Sequence, residues 1–235
     1  PYSSLDPSDL LTWLQAGQRL RYSPGDRLIR PDEINSGILL ILKGSVRLIA
    51  DGDEQEGQFT LDKRGPGQLI GWSSLLRGAA TEFVQASTEV VALSLPGTSF
   101  VHFFREVPAF AEHFYKLSNL QEAYTVAVAA TELQPKRVSN WRDGLLERVK
   151  QARTKSLTID ESLDKLEVLE NGWRWHLSTP DVPGVPVGTP LEPSAENLPK
   201  RPGFLLPYRM IALPEGVVPT PTVKTSDLIR AAEDK

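Results

Sequence analysis

The run Gly65-Pro66-Gly67-Gln68-Leu69-Ile70-Gly71-Trp72-Ser73-Ser74-Leu75-Leu76-Arg77-Gly78 holds the residues best suited to chemistry in this chain. Its glycines stand where a backbone would close around a small anion, with N–H groups turned inward and a helix start behind them. The candidate ligand residues are Gly71, Trp72, Ser73, Ser74, Arg77, Ala80 and Thr81. Catalytic patterns are weaker. Gly71-Trp72-Ser73-Ser74-Leu75 lacks the second glycine of a Gly-x-Ser-x-Gly nucleophile elbow. His102, His113 and His176 do not form a His-x-His metal pattern and fall outside the expected barrel strands. No cysteine is present, so thiolate nucleophiles, disulfides and zinc–thiolate sites are excluded. The expectation is a non-catalytic chain with no metal and no resident cofactor.

The totals set further bounds. The 235 residues carry a net charge of −4, and residues 1–135 are more acidic than residues 136–235. A nucleic-acid face needs a much stronger basic bias, so no nucleic-acid partner is expected. The longest apolar run, Ile38 to Leu42, is far short of the roughly 20 residues that span a bilayer. A polar start without an apolar h-region gives no signal peptide. With Pro1 first and Met210 the only methionine, the chain reads as a piece of something longer.

Positioning the glycine-rich run falls to a series of short strands. Alternation and turn residues predict strands at Arg19–Tyr22, Arg27–Ile29, Ile38–Leu42, Ser45–Ile49, Gln58–Leu61, Leu69–Ile70, Glu82–Ala86 and Val90–Leu95. Eight strands at this spacing predict a mainly β fold, an antiparallel roll or jelly roll with flanking helices. A short helix over Ser8–Ala16, with Ser8 as its N-cap, precedes them. A second covers Thr98–Arg105. A long helix is predicted from Pro108 to about Glu132, with Phe110, Phe114, Leu117, Gln121, Tyr124 and Val128 in a heptad-like stripe. That stripe would either pack on its own barrel or pair with a second copy, giving a homodimer through Phe110–Val128.

This order of elements resembles a cyclic nucleotide-binding domain over residues 8–132. Tyr22-Ser23-Pro24-Gly25-Asp26 resembles the family's opening turn, and Ile38 to Gly44 followed by Ser45-Val46-Arg47-Leu48 resembles its Lys/Arg-Gly hairpin. Gly65-x-Gly67 with Ile70-Gly71 is similar to the start of its phosphate-binding cassette. The resemblance implies a helix start aimed at a cyclic phosphate, an Arg paired with that phosphate and a Glu on the ribose 2′-hydroxyl. Here Trp72 stands where the Glu belongs and Ala80, beside Thr81, where the Arg belongs. A buried phosphate without a countercharge is costly, so ordinary cAMP or cGMP binding is not expected. Arg77 is expected to face solvent, and Trp72 to plug the cavity rather than stack on a base.

The remaining sequence divides at about residue 135, giving expected domains at 1–134, 135–179 and 180–235. Val138–Arg153 and Leu157–Leu169 are read as helices, the second with Thr158 and Glu161 at capping-box spacing. Trp173–Leu177 alternates like a strand, completing a small α+β unit. Prolines from Pro180 to Pro221 forbid helix and central strand and predict an extended arm anchored by Phe204–Ile211, with a mobile end after about Val218. The Gly71–Gly78 run also resembles the N-terminal regulatory region of cyanobacterial-type peptidase-containing ABC exporters of type I secretion. That resemblance implies a cytoplasmic regulatory module, membrane-linked only through its parent, with a small-molecule effector or other parent domains as partners. Alternatives are a docking module without a small ligand and, last, a fragment of a catabolite-activator-type transcription regulator. No Gly-x-x-x-x-Gly-Lys-Ser/Thr motif is present.

Overall fold

A computed structural model of the chain describes residues 2–51, 57–133 and 145–215. Two compact units divide it at Phe114 and Tyr115. The first unit opens with α1 (Pro7–Gln15). Its N-cap is Asp6 rather than Ser8, because the Asp6 carboxylate accepts from the Ser8 backbone N–H at 2.8 Å and Pro7 needs no partner at the first helical position. Eight strands follow: β1 (Gln18–Tyr22), β2 (Arg27–Ile29), β3 (Gly37–Lys43), β4 (Val46–Asp51), β5 (Gln58–Arg64), β6 (Leu69–Ile70), β7 (Val84–Ala86) and β8 (Val90–Pro96). They form two antiparallel four-stranded sheets, ordered β1-β8-β3-β6 and β2-β7-β4-β5. The jelly-roll expectation therefore holds, as two facing sheets rather than a closed barrel.

Alternation explains the sandwich. Leu39 and Ile41 from one sheet meet Ile29, Val46, Leu48 and Val84 from the other in a single buried cluster. Each such side chain contributes about 1.5–3 kcal/mol on leaving water. The β3–β4 hairpin turns at Gly44, whose φ is +86°. A Cβ there would collide with the Glu89 carbonyl oxygen, which is why the Lys43-Gly44 pair ends the strand.

Helices α2 (Trp72–Arg77), α3 (Gly97–Glu106) and α4 (Pro108–Tyr115) complete the first unit. Their aromatics form a cluster with Trp13 of α1. Phe100 lies 5.0 Å, ring centre to ring centre, from Phe114, and Trp13 lies 5.4 Å from Phe103. The single helix expected over Pro108–Glu132 is two. α4 stops at Tyr115, and α5 (Leu120–Glu132) restarts where the Asn119 side chain accepts from the Gln121 and Glu122 backbone N–H groups. That local cap outcompetes helix continuation. Phe110 and Phe114 are fully buried in the first unit, while Gln121 and Tyr124 are buried in the second.

The second unit continues with α6 (Leu145–Lys150), β9 (Arg153–Leu157), β10 (Trp173–Leu177), β11 (Pro190–Leu191) and β12 (Tyr208–Pro214). Its antiparallel sheet runs β11-β10-β12-β9. Trp175, Leu177, Tyr208 and Met210 build an apolar core on one face with Leu163 and Leu198. On the opposite face Arg209 reaches Glu122 of α5. Three expectations change here. Leu157–Leu169 holds no α-helix: Leu157 ends β9, and only the 3-10 turn Leu163–Lys165 follows. The Thr158 N–H does bond the Glu161 carboxylate at 2.6 Å, so the capping-box contact forms around a turn. The proline-rich segment is not barred from the sheet interior either. β12 is a central strand, because its seven residues run from just after Pro207 to Pro214 and leave the ladder donors between them intact. Within the Phe204–Ile211 anchor only Leu205 turns outward: Phe204 packs on the core and stacks on Tyr208, and Leu206, Tyr208, Met210 and Ile211 are buried. The helix read at Val138–Arg153 stops at Lys150, with Arg153 already opening β9; residues 138–144 lie outside the described residues, as does the chain end after Glu215.

Candidate ligand site

The glycine-rich loop is pinned to β3 from both sides. The Gly67 N–H donates to the Ile41 carbonyl at 2.8 Å, and the Ile41 N–H donates to the Gln68 carbonyl at 3.1 Å. The Gln68 side chain accepts from the Gly65 N–H at 2.8 Å, closing the turn. Gly71 then enters α2 with φ +89°, a conformation that favours glycine. The Asn35 amide donates to its carbonyl at 3.0 Å and also to the Gly37 carbonyl. A Cβ at Gly71 would lie 2.6 Å from the Asn35 amide nitrogen. Asn35 thus ties the cassette entrance to the start of β3, a role that spacing alone did not single out. Its position beside Gly37, at a strand start, was the available signal.

Trp72 turns inward. It is 4% exposed, and its ring centre lies 5.4 Å from that of Phe114 at 59°. Ser73 and Ser74 are fully buried. The Ser73 hydroxyl has no hydrogen-bond partner, whereas the Ser74 hydroxyl accepts from the Thr81 N–H at 3.2 Å. Arg77 departs from its expected solvent-facing position: it is 2% exposed, with Nη1 donating to the Thr81 hydroxyl at 2.6 Å. Thr81 in turn donates to the Ala79 carbonyl at 2.9 Å. The cause is local. Gly78 adopts φ +65°, so the chain folds back over α2 and brings residue 81 beside residues 74 and 77.

The structure therefore joins Ser74, Arg77 and Thr81 in one network and sends Trp72 toward α4. Ala80 is half-buried and adds no polar group. Glu82 is 1% exposed at the entry to β7 and is a buried carboxylate that the sequence reading did not select. Chemically, the arrangement offers a buried guanidinium with a hydroxyl partner. Among the described residues no group of three or more His, Cys, Asp or Glu could hold a metal ion. His176 lies in β10 with its Nδ1 buried and without a hydrogen-bond partner.

The model of the cyclic nucleotide-binding domain family matches residues 19–107. This segment belongs to that family. The cyclic nucleotide-binding domain spans all eight strands of the first unit, the cassette and α3. Solved structures share the likeness. The regulatory subunit of a cAMP-independent protein kinase A from Trypanosoma brucei is 26% identical, with 48% of this chain and 41% of that chain covered and a TM-score of 0.42. A cyclic nucleotide-binding-like protein from Brucella abortus is 24% identical, covering 45% of this chain and 90% of that one, TM-score 0.39. The Thermus thermophilus catabolite activator protein is 20% identical, covering 63% of this chain and 78% of that one, TM-score 0.40. This chain spans less than half the length of the Trypanosoma chain. No curated protein matches the sequence. No helix among the described residues is long and apolar enough to cross a membrane.

Proposed function

We propose that this chain is a non-catalytic regulatory module, built on a cyclic nucleotide-binding domain, that does not take up ordinary cAMP or cGMP. The observation that carries the reading is the seat of Trp72 against Phe114, at the position where the family resemblance puts a ribose-accepting Glu. Arg77, the nearest cation in sequence, is turned to Thr81, and Ala80, where the resemblance puts the phosphate-pairing Arg, supplies no charge. A cyclic phosphate entering here would meet helix N–H groups without the arginine that the resemblance puts at residue 80, and a buried ion that lacks its partner is costly. Calorimetric titration with both nucleotides tests the reading. The expected outcome is no measurable heat, and a submicromolar affinity insensitive to salt would overturn it.

The module's role is then partner docking or response to another effector, in the regulatory region of a larger chain. The Gly71–Gly78 run supports a parent of the peptidase-containing ABC-exporter type, which would put this piece at the cytosolic face of a membrane protein. The sequence flanking it decides that context: a peptidase domain and a Walker motif downstream are expected. Docking is favoured over effector sensing by the packed indole of Trp72. A thermal-shift panel of nucleotides is expected to leave the melting temperature unmoved, and a shift that disappears on changing Arg77 would favour the sensor.

A further inference from the structure

The second unit carries a solvent-open groove of about 470 Å³ beside β10, bounded by the 167–172 loop and by Glu192-Pro193 after β11. That size falls in the range of roughly 300–1,000 Å³ typical of ligand clefts. Val168, Leu169 and the half-buried Trp173 contribute its accessible apolar surface, above the buried Trp175 and Leu191, and four carboxylates face a single cation, Arg174. Two of the four are already engaged. Glu215 pairs with Arg174, and Glu170 pairs with Arg153 at 3.5 Å. Glu167 and Glu192 form no ion pair among the described residues. The Glu167 backbone carbonyl accepts from the Trp175 indole N–H at 2.9 Å, which fixes the segment that bears this carboxylate. Beside it, Val168 is 88% exposed.

Uncompensated carboxylates over an aromatic floor select a cation with a flat, weakly hydrated face. A guanidinium fits that description better than an ammonium, because it stacks on indole and bonds carboxylate through a planar fork. The unit already holds one arginine in this way: the Arg153 guanidinium carbon sits 4.6 Å from the Trp173 ring centre while its Nη2 faces Glu170. We propose that the groove receives an extended, arginine-bearing segment of a partner protein, with guanidinium groups meeting Glu167 and Glu192 and the chain lying over Val168 and Trp173. The groove is built from residues outside 19–107.

Calorimetry on the full chain with a capped heptapeptide alternating glycine and arginine tests the proposal. Binding is expected, with the lysine counterpart weaker and the uncharged citrulline counterpart silent. A Glu167→Gln, Glu192→Gln double variant changes only exposed side chains and is expected to weaken the arginine peptide about tenfold. Three results overturn the proposal: no binding of the arginine peptide, affinity of the double variant within about twofold of the parent, or spermine binding as tightly as the peptide. The last would make the groove a small-cation site.

Discussion

Replacing Trp72 by alanine removes an indole that packs on Phe114 and is almost wholly withdrawn from water. Large-to-small changes of this kind cost about 3–5 kcal/mol, so Trp72→Ala is expected to lower the denaturant midpoint sharply without creating affinity for cAMP. A variant that melts like the parent would mean the indole is not packed. The same locality governs Arg77. Its guanidinium is turned inward to Thr81 because Gly78 reverses the chain, and a residue count along the sequence cannot show that reversal. The departures at Trp72 and Ala80 were legible from residue type alone. The direction of Arg77 was not, since it depends on one left-handed glycine.

At the scale of elements, α5 is fastened to β12 by a buried ion pair. Arg209 is 1% exposed and its side chain bonds both oxygens of Glu122, which is fully buried. The Ser178 hydroxyl also donates to Glu122, and Arg209 donates to the Leu117 carbonyl. Removing one partner strands a charge in the interior, so Glu122→Ala is expected to cost about 3–5 kcal/mol. A joint Glu122→Leu, Arg209→Met replacement is expected to recover much of that loss in the same urea melts; no recovery would mean that lost packing dominates. The strands of the first unit were readable because period-two alternation and turn glycines coincide with its sandwich. The break between α4 and α5 was not, because the heptad stripe runs on through Ser118-Asn119 and the decision belongs to one capping amide. β12 was hidden for a related reason: proline density describes a whole segment, whereas ladder pairing depends on the residues between two particular prolines.

For the whole molecule, the first unit carries the family fold while the second holds the acid-sensitive group. His176 is held at about 4, below its ordinary 6.5, first by burial and then by the charges of Arg148 and Arg174. The folded chain keeps this imidazole neutral, whereas the unfolded chain takes up a proton as pH falls through 6.5. Stability is therefore flat above neutrality and drops as pH falls from about 6.5 toward 4, by about 3 kcal/mol from this group. Urea titrations across that window should show the slope, and His176→Leu should flatten it; an unchanged slope would assign the loss to other groups. Burial has an optical consequence as well. The first unit encloses Trp13 and Trp72, and the second encloses Trp175, so each carries its own shielded fluorophore. Emission from either should shift to the red when that unit opens, and two variants, each with phenylalanine in place of one unit's indoles, report the two openings separately.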